Sequence, residues 1–193
     1  REELDRVILS GEGRGFAAGA DTKEFDRPAV APHLPDVINH IEDSTIPWIA
    51  AIHGAALGGG GELALGCRYR IARADATIGF PEVMLGLVPG AGATQRLPRL
   101  IGLTEALKLI PTGKTISGGK AMAIGLVDAI DDDPITAAKL IDQKILIEVV
   151  PLNLTKAGAD RTVNYEAARQ IAIRRMRGQE APLTAISLLE TAQ

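Results

Sequence analysis

The sequence predicts an α/β fold, and three observations carry the prediction. Short apolar runs closed by glycine read as buried strands. Segments with apolar residues three and four apart lie between those runs up to about residue 130. Beyond that point the pattern is helical alone, so a mixed core comes first and trailing helices follow.

The first run, Val7–Ser10, is closed by Gly11, and 11–20 is mostly Gly and Ala, a loop with exposed amides. Leu34, Val37, Ile38 and Ile41 recur at helical spacing, and that helix must stop before Pro47. Trp48–Ile52 is a second buried strand, ended by Gly54. A glycine run then feeds a helix over roughly 62–66, and Tyr69–Ala72 and 77–80 read as further strands. After 89–93 comes a helical stretch that Pro98 should break, then another through 105–110. Ser117 can cap a short helix ending at Gly125, and 126–130 is the last strand. Ile141, Ile145 and Val149 lie four apart, and 164–177 is a further amphipathic stretch. This divides the chain into a core at 1–130 and a helical region at 131–193 that serves packing, linkage or oligomerisation.

Composition narrows the function. The chain has 193 residues, 46% hydrophobic and 23% charged, which fits one globular unit with a sizeable core. A net charge of -3 and 3% aromatics give no reason to expect nucleic acid or an anionic membrane as partner. The single cysteine, Cys67, rules out a disulfide framework and a cysteine-based metal site, and reads as a small buried thiol. With no long apolar stretch and no signal-like opening, the expected location is cytoplasmic, or an organellar matrix in a eukaryote. The chain opens without an initiator Met and runs straight into a strand, so an opening segment is expected to be missing.

The glycine-rich segments need sorting. Thr112-Gly113-Lys114-Thr115 looks like the end of a phosphate-binding loop, but Lys108 stands where that motif needs glycine. Residues 58–61 do not open an ordinary βαβ unit with a later ribose-binding acid. Glu62 alone could be an acid compensating a helix dipole, and Glu82 alone an exposed loop residue. His53 reads as a packed, hydrogen-bonded histidine. Together, bare amides opening a helix and two nearby carboxyls suit stabilisation of an oxyanion with proton transfer to and from water.

The ordered motifs FAAGAD (16–21), AIHGAALGGGGELA (51–64), FPEVMLG (80–86) and PGAGATQ (89–95) strongly resemble the crotonase, or enoyl-CoA hydratase/isomerase, superfamily. LGCRYRIA (65–72) and RGQEAPL (177–183) look most like the hydratase portion of multifunctional β-oxidation enzymes. The resemblance implies a core of ββα turns and hydration of a 2-trans-enoyl-CoA to a 3-hydroxyacyl-CoA in fatty-acid β-oxidation, with Δ3–Δ2 isomerisation as an accompanying activity. It places the two acids at Glu62 and Glu82 and an oxyanion hole on the backbone N–H groups of Ala20 and Gly59. Ala18 and Lys23 match positions near the CoA nucleotide. It implies no metal and no cofactor, since the substrate carries coenzyme A. The partner it implies is an acyl-CoA thioester, with a homo-oligomer or a covalently linked or associated dehydrogenase part. The alternatives are a non-catalytic acyl-CoA-binding or assembly module, or another crotonase reaction such as thioester hydrolysis or decarboxylation.

Overall fold

The computed structural model describes residues 4–19, 30–158 and 163–192. Each turn of the chain lays one strand in each of two sheets. The first sheet takes β1 (Val7–Ser10), β3 (Trp48–Ile52), β5 (Tyr69–Ala72) and β8 (Ala129–Ile130), all parallel in that order. The second takes β2 (Ala17–Ala18), β4 (Ala55–Leu57) and β6 (Thr77–Gly79) in parallel, with β7 (Thr115–Ser117) antiparallel to β6. Val7 stands opposite Trp48 and Ile49 opposite Tyr69, while Ala17 stands opposite Ala56 and Ala55 opposite Thr77. This is the expected ββα spiral.

The corners stack as well as the strands. Phe16 N–H donates to the His53 carbonyl at 2.9 Å and Thr77 N–H to the Gly54 carbonyl at 2.8 Å. Gly54 has φ +55°, and a β-carbon there would lie 2.1 Å from the Arg14 carbonyl oxygen, so only glycine lets consecutive turns close up.

Helices close the layers. The α1 helix (Leu34–Asp43) buries Ile38 and Ile41, and the α2 helix (Gly59–Gly66) lies against it, β2 and β4. A short 3-10 turn, Pro81–Leu85, precedes α3 (Ala93–Ile101) and α4 (Leu103–Leu109). Phe80, Ile52, Leu65, Ile78 and Leu97 form the main core. After α5 (Gly118–Ala123), α6 (Pro134–Leu140) and α7 (Gln143–Glu148) cover the outer face of the first sheet, where Ile49 and Ile71 meet Ala138 and Leu146. A second 3-10 turn, Leu152–Leu154, leads towards α8 (Tyr165–Arg175) and α9 (Ala181–Glu190). The α9 helix buries Ala185, Ile186 and Leu189 and packs on α3, α4 and the Pro81–Leu85 turn. Among the described residues, no helix is long and apolar enough to cross a membrane.

Several expectations need correction. Pro98 does not break its helix: α3 runs through it and stops at Gly102, φ +80°. Proline there removes only the bond that would reach the Thr94 carbonyl, and burial of its ring in the core offsets that loss. The last strand shrinks from 126–130 to Ala129–Ile130, because Leu126 and Val127 turn into the core. The stretch holding Ile141, Ile145 and Val149 divides: Ile141 caps α6 with extended backbone, and Asp142 caps α7 through its side chain. The glycine-led helix begins at Gly59, three residues earlier than expected.

Candidate active site

The α2 helix starts on a backbone that only glycine tolerates. Gly58 has φ +54° and ψ −123°, and its N–H donates to the Gly79 carbonyl at 2.9 Å, tying the helix entry to β6. Its carbonyl accepts from Glu62 N–H at 3.0 Å, which sets the first turn. The glycines that follow face close neighbours: a β-carbon on Gly60 would lie 2.1 Å from the Ala17 carbonyl oxygen, and one on Gly61 2.9 Å from the Phe80 ring. Gly59 N–H, at the first position of the helix, is one of its orphan donors and carries the positive end of its dipole.

Glu62 is 3% exposed. Its Oε1 accepts from the backbone N–H groups of Ala91 and Ala93, each at 2.9 Å, which leaves Oε2 for the cavity that the residue lines. Burial raises its pKa above the ordinary value, while the Ala93 and Ala91 amides and the Arg96 charge pull it back.

Glu82 comes from the Pro81–Leu85 turn, where proline sets the first position and Gly86, in the left-handed region, ends it. It is half-buried, and its Oε2 is enclosed without a hydrogen-bond partner among the described residues. Burial is the largest cause that pushes its pKa up to about 7; its own backbone N–H opposes this and the charge of Glu62 adds to it. The two carboxyls thus sit in opposed settings. Glu62 has donors that favour its anion, and Glu82 keeps its proton to near neutral pH.

Both acids line one cavity of about 510 Å³, together with Ala18, Gly58, Gly59 and the apolar side chains of Leu34, Leu57, Leu85 and Leu87. The structure therefore brings Glu62, Glu82, Gly59 and Ala18 to one hollow. Ala20 and Lys23 lie outside the described residues. A larger cavity of about 810 Å³ runs between α4 and α8; among the described residues its lining includes Lys108, Lys114 and Arg175 but no carboxyl, so it lacks the paired acids of the smaller cavity. Cys67 is buried, its Sγ bonded to the Leu63 carbonyl, and burial pushes its thiol up to about 12, which removes it as a nucleophile. His53 bonds through Nε2 to the Gly13 carbonyl, at a corner between the sheets.

Sequence reasoning gave no role to the 91–93 amides or to Arg96. The motif 89–95 served only as one of the ordered motifs of the resemblance, and nothing in it said that its N–H groups turn back onto Glu62. A usable signal for Arg96 was its place with Ala93 and Leu97 on one apolar face of α3, where a cation needs a partner.

The family model described as Enoyl-CoA hydratase/isomerase matches residues 1–177. The chain is 39% identical over 196 residues to a peroxisomal bifunctional enzyme of Danio rerio, a match covering 98% of this chain and 27% of that protein. It is 51% identical over 128 residues to a probable enoyl-CoA hydratase of Bacillus subtilis, covering 63% of this chain and 50% of that one. Among solved structures, an enoyl-CoA hydratase from Bacillus anthracis superposes with a TM-score of 0.65 at 35% identity, covering 99% of this chain and 73% of the other. The chain thus spans about a quarter to a half of the length of these curated relatives.

Proposed function

From the premise that this chain belongs to the enoyl-CoA hydratase/isomerase family, we propose that it adds water to a 2-trans-enoyl-CoA to give a 3-hydroxyacyl-CoA. The observation that carries the reading is the pair of acids on one cavity, with donors on Glu62 and none on Glu82 Oε2.

The geometry suits each step. A water held between the carboxyls attacks C3 as the Glu62 carboxylate takes one of its protons. The double-bond electrons move onto the thioester oxygen, where the Gly59 N–H opposes the developing charge at the positive end of α2. Ala20 N–H is assigned as the second donor, by resemblance. C2 then takes its proton from Glu82, which the raised pKa keeps protonated up to about pH 7. Return of the proton from Glu62 to Glu82 through the next water restores the site. Oxidation state does not change, so the proposal assigns no cofactor beyond the CoA that the substrate carries. The apolar wall of Leu34, Leu57, Leu85 and Leu87 suits the acyl portion, and Ala18 at the cavity edge and Lys23 are assigned to the nucleotide end.

The enclosed, unpartnered oxygen of Glu82 favours a second activity. One carboxyl that both gives and takes a proton can move a double bond between Δ3 and Δ2 without water. Relatives named a peroxisomal bifunctional enzyme and a fatty acid oxidation complex subunit alpha support a β-oxidation role, and the linked or associated dehydrogenase part is assigned by resemblance. The proposed setting is an aqueous compartment, the cytoplasm or an organellar matrix.

The test is to incubate the purified protein with a 2-trans-enoyl-CoA, follow loss of the enoyl-thioester absorbance and identify the product. A 3-hydroxyacyl-CoA is expected. Thermal stabilisation by CoA esters with no turnover would instead make the chain a binding module, and free CoA or CO₂ would indicate another reaction of the family.

A further inference from the structure

The turn that grips Glu62 is itself held from behind. Arg96, on α3, donates from Nη1 to the Ala91 carbonyl at 2.9 Å. The same guanidinium donates from Nε at 3.0 Å and from Nη2 at 2.7 Å to Glu42 Oε2, and from Nη2 to Asn39 Oδ1 at 2.8 Å. Glu42 is buried on α1, and its other oxygen accepts from Asn153 N–H at 2.9 Å. A β-carbon on Gly92 would lie 2.1 Å from Arg96 Nη1, so the turn has been left bare where the guanidinium passes.

An ion pair this buried is weak evidence for a stabilising role, because well-packed apolar residues of the same volume often do as well or better. What the pair does that an apolar pair cannot is hold a carbonyl. Ala91 therefore accepts from Arg96 on one side and donates to Glu62 on the other. We propose that Arg96 is a positioning residue for Glu62: by pinning the Ala91 carbonyl it aims the Ala91 and Ala93 amides at Oε1 and fixes Oε2 over the cavity. A lysine could supply the charge but not the planar fork that serves three acceptors at once.

The charges acting on Glu62 among the described residues are few. Arg96 favours its anion from α3, Glu82 opposes it from the Pro81–Leu85 turn, and α2 itself carries no other charged residue. Glu42 faces Arg96, so its effect on Glu62 comes through that cation.

This inference rests on Glu62 being the base of the proposed hydration, and its test separates the two. R96K keeps a cation, while R96M/E42M removes both buried charges together so that neither is stranded. In the purified protein without substrate, the Glu62 carboxyl is titrated by carbon NMR, its signal assigned by loss in E62Q. In R96M/E42M the midpoint is expected to rise, and the ascending limb of kcat/KM against pH moves up with it. kcat falls about 10- to 100-fold with KM within threefold, since a small misplacement costs that much. R96K restores the midpoint in part and kcat little. A Glu62 midpoint and pH limb unchanged in R96M/E42M, with stability alone altered, would overturn the inference. Wild-type protein that turns over no enoyl-CoA would sink the hydratase reading, while the NMR midpoint would still decide whether Arg96 governs Glu62.

Discussion

Gly58 makes room for Glu82: a β-carbon on Gly58 would stand 3.1 Å from Glu82 Oε1 and 3.4 Å from its carboxyl carbon. The same residue turns the chain from β4 into α2 in a backbone region that side chains avoid. One bare α-carbon therefore serves both the helix that carries Glu62 and the space that Glu82 occupies.

Gly58→Ala should cost about 1–3 kcal/mol of stability from backbone strain, and lower turnover by displacing Glu82. Urea unfolding and the enoyl-CoA assay measure the two effects. In a G58A/E82A double variant the stability losses should sum to less than their separate values, because the crowding partner is gone. Full additivity would mean that Gly58 and Glu82 do not touch.

Glu82 should make stability pH-dependent in a defined window. Its pKa rises on folding from 4.5 to about 7, so between those values the folded state holds a proton that the unfolded state has released. Stability therefore falls as pH rises through the window, and levels off above it. Glu82→Gln removes the loss: its melting temperature should match wild type at pH 4.5, exceed it increasingly up to about pH 7, and keep a level advantage above that. An advantage that is the same at every pH would assign it to packing and remove the buried charge as its cause.

The Arg70–Asp128 pair should behave as a structural brace. Asp128 Oδ2 accepts from Arg70 Nη2 and from Arg70 N–H, both at 2.8 Å, joining β5 to the approach to β8. Arg70 is buried, and its Nη1 is spent on the Cys67 carbonyl. Removing Asp128 strands a buried cation, which costs about 3 kcal/mol or more. Asp128→Ala should lower the unfolding free energy by that amount, read as a lower urea midpoint at an unchanged slope, with a normal catalytic pH profile. A loss near zero would show that water replaces the carboxylate.

Much of the site was legible because its parts are local. The helix entry at 58–62 and the Pro81-Glu82 turn each declare themselves within a few residues, through glycines that admit close contacts and a proline that sets φ. The strands β2, β4 and β7, of two or three residues each, were not legible, because periodicity needs a longer run. Gly59, Gly60 and Gly61 fell outside the expected helix because glycine has poor helix propensity, yet they are helical, and they are glycine because Leu34, Ala17 and Phe80 respectively leave no room for a side chain. Arg96 was hidden for another reason: its partners Glu42 and Asn39 on α1 and Ala91 before α3 are far apart in sequence or outside its own helix, and only folding gathers them.

Hydration is assigned to the joint action of Glu62 and Glu82, and kinetics of the two glutamine variants test that assignment most directly. Glu62→Gln and Glu82→Gln should each slow hydration of a 2-trans-enoyl-CoA by about 10²–10⁴-fold, with circular dichroism and cooperative melting retained. Turnover within threefold of wild type in either folded variant would contradict the role assigned to that acid.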